Sequence, residues 1–221
     1  MYQNTYRPSL QQVFPPVIKN LLILNGLVFL AQIVPSTNQL LVSWFALWPM
    51  GVPYVNVPDF WPWQLVTYGF LHGGFGHILF NMFALWMFGI QIENAWGSRR
   101  FGIYYFVCVI GAGLVQLVVS TLAAQAGDVY PTLGASGGVF GILLAFGMMF
   151  PNQEIYLYFL FPIKAKWFVI GYGALELYFA VSGTQAGVAN FAHLGGMVFG
   201  LVLILYWRGK LPFKPERTIR R

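Results

Sequence analysis

Apolar residues run in long blocks along this 221-residue chain, and most polar residues lie between the blocks. A membrane-spanning helix needs about 20 mostly apolar residues. By that measure the pattern predicts six spans, at about 17–34, 74–92, 101–124, 134–150, 165–181 and 190–207. The expected fold is therefore all-α, a polytopic membrane protein whose six transmembrane helices form a compact bundle.

The segment at 35–73, between the first two spans, is unusually rich in Trp, Pro and Phe. Aromatic residues of this kind settle at the boundary between a bilayer and water. We therefore expect short interfacial helices in this first outer loop. The other connections are short, so residues 1–221 are expected to form a single transmembrane domain, with a short cytoplasmic segment at 1–16 and a basic cytoplasmic tail at 208–221.

Composition supports the membrane class. The chain is 58% hydrophobic and only 8% charged, whereas soluble domains carry about 25% charged residues. The mean hydropathy is +0.66. The single cysteine, Cys108, lies inside an apolar run, and one thiol makes neither an internal disulfide nor a metal site. No metal and no cofactor are expected.

The basic residues indicate the orientation in the membrane. In a six-span topology all twelve fall on one side, and they are Arg7, Lys19, Arg99, Arg100, Lys164, Lys166, Arg208, Lys210, Lys214, Arg217, Arg220 and Arg221. Basic residues favour the cytoplasmic side, so both termini are expected there. The net charge of +6 is then explained by topology and by contact with anionic lipids. No nucleic-acid partner is expected.

Polar side chains interrupt three predicted spans near their outer ends. They are His77 and Asn81 in the second span, with His72 just before it, Ser136 in the fourth, and Asn190 and His193 in the sixth. Polar groups within a bilayer are costly unless they face one another or a cavity, and they often mark functional sites. Their common depth predicts that the three spans build one site.

Glycine spacing supports close contact between the fourth and sixth spans. Pairs of small residues four positions apart let helix backbones approach closely. The helix-packing glycines predicted on this basis are Gly137, Gly141, Gly196 and Gly200. A histidine activates a serine hydroxyl when the two atoms lie within about 2.6–3.2 Å. We therefore predict Ser136 as a nucleophile and His193 as its base.

Hydrolysis through a serine also needs donors for the negative oxygen of the tetrahedral intermediate. Asn81, His77 and the backbone N–H of Ser136 are the candidates. No carboxylate is obviously placed to orient His193, so a Ser–His dyad is expected rather than a triad. Glu176, in the fifth span, is left open between a hydrogen-bonded packing residue and a role in gating or proton transfer. Glu93 is interpreted as structural.

Three stretches, HGGFGHILFNM, GASGGVFG and AHLGGMVFG, resemble the signature segments of rhomboid proteases, and ENAWGS resembles a fourth motif. The likeness extends over about 63–200. It implies a catalytic dyad of Ser136 and His193. Substrate stabilisation would come from His77, Asn81 and the Gly-x-Ser-Gly motif that begins at Gly134.

The resemblance carries two further expectations about side chains. Phe140, one turn after Ser136, would pack against the His193 ring. Many family members have a Trp-Arg pair in the first loop, whereas here Trp63 is followed by Gln64, which puts anchoring of that loop by an arginine in doubt.

The function expected from the resemblance is that of an intramembrane serine endopeptidase in the bacterial inner membrane. Its partners would be single-pass transmembrane protein substrates and membrane lipids, and no oligomer would be required for activity. Two alternatives are a non-catalytic rhomboid-like factor that binds membrane proteins and a small transporter. Transporters often contain internal repeats, and no repeat is visible in this sequence.

Overall fold

The computed structural model describes residues 13–52, 57–157, 160–183 and 189–212. Its longer helices are α1 (Pro16–Gln32), α2 (Pro35–Phe45), α4 (Phe75–Trp96), α5 (Ser98–Gln125), α6 (Ser136–Met149), α7 (Ala165–Ser182) and α8 (Asn190–Trp207). The four-residue helix α3 (Gln64–Thr67) runs into a 3-10 turn, Tyr68–Phe70. The basic tail predicted at 208–221 lies mostly outside the described residues, as do residues 1–12.

Three of the described helices, α4, α5 and α8, are long and apolar enough to cross a membrane. Helices α1 and α6 are apolar but shorter. The described chain is thus a mainly helical membrane protein, and each of the six predicted spans coincides with one helix. Between α1 and α4 lie α2 and α3, in the segment where the sequence predicted short helices.

The all-α prediction omitted a small β-hairpin. Strands β1 (Glu154–Leu157) and β2 (Phe161–Lys164) pair antiparallel, with Glu154 opposite Lys164. The aromatic and β-branched residues of this stretch favour strands, and Pro151 and Pro162 disfavour continued helix. The connection between α6 and α7 was too short to reveal such a pattern by periodicity.

Helices α5, α6 and α8 form the most closely packed part of the bundle. A Cβ added to Gly196 would collide with the carbonyl oxygen of Gly137, and one added to Gly141 would collide with the Cys108 thiol. Gly200 lies in the same way against the hydroxyl of Tyr104. At residue 196 only glycine permits the backbone-to-backbone contact with Gly137, which brings the first turns of α6 and α8 together.

Gln64 anchors the segment between α1 and α4. Its side chain is fully buried and accepts a hydrogen bond from the backbone N–H of Trp48 at 3.1 Å. Its amide also donates to the carbonyls of Trp44, at 3.4 Å, and Asp59, at 3.2 Å. A neutral amide therefore anchors this segment, which the lack of an arginine after Trp63 had put in doubt.

Glu93 joins three helices at the end of the bundle distant from Ser136. Its carboxylate accepts hydrogen bonds from the backbone N–H groups of Val17 and Ile18, each at 2.9 Å, and from the Ser98 hydroxyl at 2.6 Å. The first N–H groups of a helix have no partner within the helix. Glu93 supplies that partner for α1, which confirms its structural interpretation.

Candidate active site

Ser136 is the first residue of α6, and the strand-like segment before it is held on both sides. The backbone of Thr132 exchanges two 2.9 Å hydrogen bonds with Leu47, and the N–H of Gly134 donates to the carbonyl of Tyr68 at 2.9 Å. Gly134 has a φ of +131°, a conformation that L side chains rarely adopt. This glycine lets the chain turn into α6 so that Ser136 begins the helix.

His193 lies in the first turn of α8 and faces Ser136. Its Nε2 atom is 2.9 Å from the Ser136 Oγ atom, a distance at which an imidazole accepts a proton from a hydroxyl. The imidazole is largely buried, with 9% of its residue surface exposed. The glycine contacts between α6 and α8 therefore bring together the two side chains that the sequence paired.

Phe140 covers one face of the His193 ring. The two rings are stacked, with centroids 4.2 Å apart and planes 8° from parallel, which confirms the expectation that the family likeness gave. Tyr172 of α7 stacks on the far side of Phe140 at 5.3 Å. The stack restricts tilting of the imidazole and shields it from water.

A carboxylate does contact His193, contrary to the expectation of a site without one. Glu176 Oε2 lies 2.8 Å from His193 Nδ1, and the Asn190 amide donates to the same oxygen at 2.7 Å. The expectation was wrong because Glu176 is on a different helix, and the spacing across the α7–α8 connection does not indicate which side chains meet. The signal available in the sequence was a lone acid within an apolar helix.

His77, in the first turn of α4, lies beside the start of α6. The Gly73 N–H donates to its Nδ1 atom at 3.3 Å, which leaves the proton of the neutral ring on Nε2. A Cβ built on Gly134 would be 2.8 Å from His77 Nε2 and 3.6 Å from Ser136 Oγ. The Nε2 edge of His77 is thus directed at the backbone next to the serine.

Asn81 lies one turn after His77 and is buried, with 6% of its surface exposed. Its side-chain amide donates to the His77 carbonyl at 3.0 Å. Asn81 therefore shares the face of α4 that carries His77, as the spacing of four residues predicted.

His72 and Gln32 form a neighbouring buried contact that fixes the start of α4. Gln32 accepts from the His72 N–H at 2.9 Å and donates to the His72 carbonyl at 3.2 Å. The His72 ring packs edge-on against His77, with centroids 5.1 Å apart. Burial, with a smaller contribution from His77, lowers the pKa of His72 to about 4. Nothing in the sequence singles out Gln32, which lies at the end of an apolar segment.

The site combines a hydroxyl, an imidazole, a carboxylate and nearby hydrogen-bond donors inside a bundle of apolar helices. Within the described ranges, no group of three or more His, Cys, Asp or Glu side chains is arranged to hold a metal ion. These groups can carry out acyl transfer with their own side chains. Fold and site together define a polytopic helical membrane protein with a candidate serine-type hydrolytic centre.

The chain belongs to the rhomboid family, because the family profile described as Rhomboid domain matches residues 60–210. It is 34% identical over 140 residues to Rhomboid protein 1, mitochondrial, of Saccharomyces cerevisiae. It is also 34% identical over 139 residues to Rhomboid protease GluP of Bacillus subtilis. Presenilin-associated rhomboid-like protein, mitochondrial, of Rattus norvegicus is 31% identical over 199 residues.

These alignments take in 63%, 62% and 85% of this chain, and 40%, 24% and 49% of the respective relatives. The chain thus spans at most about half the length of these relatives. The residues that the family profile matches, 60–210, include the candidate site.

Proposed function

We propose that this protein is an intramembrane serine endopeptidase that hydrolyses peptide bonds of membrane-spanning proteins near the outer face of the bilayer. The observation that carries the proposal is the 2.9 Å contact between Ser136 Oγ and His193 Nε2. Membership of a family that includes a protein named as a protease supports it.

In the proposed reaction, His193 Nε2 takes the hydroxyl proton as Ser136 Oγ attacks the carbonyl carbon of the scissile bond. The carbonyl oxygen becomes negatively charged, and the tetrahedral intermediate collapses when His193 gives its proton to the departing amine. The acyl-enzyme is then hydrolysed by water, which His193 activates in the same way. Each proton taken from a nucleophile is thus returned to a leaving group.

Three donors are the candidates that would stabilise the negative oxygen. The Ser136 N–H is among the unpaired amides at the start of α6. His77 presents a protonated Nε2 beside Gly134, because the Gly73 N–H occupies Nδ1. Asn81, on the same face of α4, is the third candidate, and its second amide N–H is the one it would offer.

The length of α6 supports a site below the membrane surface. This helix has 14 residues, about 21 Å at 1.5 Å per residue, whereas the hydrocarbon core is about 30 Å thick. If α6 ends at the cytoplasmic boundary, Ser136 lies about 9 Å beneath the outer one. Water and a locally unwound substrate segment reach such a depth.

The remaining parts of the proposal concern topology and partners. Residues 1–221 form one six-span domain with both termini in the cytoplasm, as the basic residues favour. The membrane is the bacterial inner membrane, the substrates are single-pass transmembrane proteins, and the surrounding lipids are the other partners. No oligomer is required, because every proposed catalytic group comes from one chain.

The test uses purified full-length protein in detergent, a fluorescent fluorophosphonate and a single-span substrate. Wild type is expected to be labelled and to cleave the substrate, whereas Ser136→Ala and His193→Ala lose both activities. Ser120→Ala is the matched control, since Ser120 is buried in α5 and its hydroxyl donates to the Leu117 carbonyl.

Cleavage by folded Ser136→Ala would overturn the proposal. Absence of both labelling and cleavage in folded wild type would also contradict it, and would favour a rhomboid-like protein that binds membrane proteins without cutting them.

A further inference from the structure

We infer that Glu176 is a positioning residue for His193: it fixes the tautomer and the orientation of the imidazole so that Nε2 faces Ser136. This inference rests on the proposed function and adds a third member to the Ser–His pair. It replaces the two interpretations that the sequence left open for Glu176.

The two ring nitrogens of His193 have different partners. Nε2 lies 2.9 Å from Ser136 Oγ, and Nδ1 lies 2.8 Å from Glu176 Oε2. A neutral imidazole carries its proton on one nitrogen only, and the hydrogen bond made by the other nitrogen selects which one. A carboxylate oxygen accepts but does not donate. Glu176 therefore retains the proton on Nδ1 and leaves the Nε2 lone pair free for the serine hydroxyl.

The orientation of the ring follows from contacts in two directions. Phe140 stacks on its face and limits tilting, but stacking alone permits the ring to flip by 180° about its Cβ–Cγ bond. A flip would place Cδ2 at the position of Nδ1 and Cε1 at the position of Nε2, so both hydrogen bonds of the ring would be lost. The hydrogen bond to Glu176 favours one of the two orientations. Phe140 therefore limits tilting of the ring, and Glu176 prevents the flip.

Glu176 is itself held in place. The Asn190 amide, at the first residue of α8, donates to Oε2 at 2.7 Å, and 7% of the Glu176 surface is exposed. Its own helix buries few residues, namely Ala165, Val169 and Glu176. A carboxyl group inside an apolar helix carries a desolvation cost. A residue that only fills space would not need a carboxyl group at this position. A residue that aligns a catalytic base does need one.

The same contacts join α7 to the base. Glu176 is on α7, Asn190 and His193 are on α8, and Ser136 is on α6. The series of hydrogen bonds from Asn190 through Glu176 and His193 to Ser136 therefore connects three helices. Among the described residues, the other titratable groups near these side chains are Tyr172, one turn before Glu176 on α7, and His77 from α4.

Three substitutions separate the properties of Glu176. Glu176→Gln keeps the size and an accepting oxygen but loses the charge, Glu176→Asp keeps the charge, and Glu176→Met keeps the size but has no strong acceptor. We expect kcat on the single-span substrate to fall in the order Glu, Gln, Met, with a loss of at least about 10-fold for Met and KM little changed. Removing the orienting carboxylate costs about 10⁴-fold in a classical serine protease.

The matched control is Glu93→Gln, which alters a second buried carboxylate. Glu93 contacts α1 and Ser98, far from the site, so this variant is expected to lower the thermal midpoint while kcat per folded molecule stays at the wild-type value. A residue that only stabilises the fold would behave like Glu93.

The tautomer is measured directly by nitrogen-15 NMR of histidine-labelled protein, because the chain contains three histidines and His193→Ala identifies the signal of interest. In the Ser136→Ala background, which removes the influence of the hydroxyl, we expect the proton on Nδ1 with Glu176 present and its transfer to Nε2 in Glu176→Met. This readout is independent of turnover, so it stands even if no substrate is cleaved.

An unchanged tautomer in Glu176→Met, or wild-type kcat in that variant, would overturn the inference and leave the proposed dyad intact. Loss of the proposed function would be recognised separately, by wild-type protein that shows the Nδ1 tautomer but neither labels nor cleaves.

Discussion

The Cα atom of Gly196 lies directly against the carbonyl oxygen of Gly137, so that a Cβ at residue 196 would occupy the space of that oxygen. This contact sets the distance between α8 and α6. His193 is one turn before Gly196, and Ser136 immediately precedes Gly137. The closeness of two glycines therefore determines the separation of the two candidate catalytic side chains.

Gly196→Ala is expected to lower both stability and reactivity. Overpacking of a well-packed interface costs about 1–3 kcal/mol, and relief of the clash moves α8 away from α6, which lengthens the Ser136–His193 contact. Thermal unfolding in detergent and the rate of fluorophosphonate labelling report the two effects. Gly171→Ala is the control, because nothing lies within 4 Å of a Cβ at that position of α7. Wild-type labelling by Gly196→Ala would show that the glycine contact does not set the site geometry.

Gly134→Ala is expected to abolish labelling. The alanine would be strained at a φ of +131°, and its Cβ would lie 2.8 Å from the His77 ring, so the start of α6 or the imidazole must move. Strain of this kind costs on the order of 1–3 kcal/mol. Gly76→Ala, with open space around its Cβ, should label at the wild-type rate. Equal labelling of the two variants would disprove the role assigned to Gly134.

Gln64→Leu is expected to reduce the free energy of unfolding by about 1–3 kcal/mol, because it leaves the backbone N–H of Trp48 without its partner and removes the hydrogen bonds to the carbonyls of Trp44 and Asp59. Chemical or thermal unfolding in detergent measures the loss. Gln39→Leu, at an exposed position of α2, is the comparison and should change stability little. An unfolding free energy equal to that of wild type would mean that the segment is anchored by other contacts.

Acid is expected to destabilise the protein through His72. Its pKa is lowered from 6.5 to about 4 in the folded state by burial, so the unfolded chain binds a proton first as the pH falls. The stability contributed by the neutral ring is complete above pH 6.5 and is lost between pH 6.5 and pH 4. Between pH 7 and pH 5 this amounts to roughly 2 kcal/mol.

The measurement is the thermal midpoint in detergent at several pH values, for wild type and His72→Gln. The variant lacks the titrating ring and should lose less stability on acidification, even though it is less stable at pH 7. Parallel curves for the two proteins would show that His72 does not titrate on unfolding.

Sequence reasoning was most successful where a short spacing rule applies. The glycine pairs at 137 and 141, and at 196 and 200, predicted the contact between α6 and α8 because close helix packing requires small residues at a fixed interval. Ser136 and His193 followed from that contact. The pair formed by His77 and Asn81 likewise followed from the helical period.

Contacts between elements without such a rule were not predictable. Glu176 meets His193 only because α7 lies beside α8 at one particular rotation, which apolar periodicity in a lipid-facing helix does not define. Gln32 and Gln64 form hydrogen bonds with backbone groups of distant segments. Every residue type except proline has both of these backbone groups, so the sequence does not show which ones a side chain will contact. The β-hairpin was missed because four-residue strands are shorter than any reliable pattern.

The hydrogen bonds of Glu93 also have a consequence for biosynthesis. Helix α1 has no capping side chain of its own, and the residue that supplies its cap lies 75 positions later in the chain. While the chain emerges from the ribosome, the first helix therefore remains uncapped until α4 has been made almost to its end. Helix α1 thus lacks these two hydrogen bonds until the end of α4 has been made, so the two helices are expected to become stable as a pair rather than one after the other.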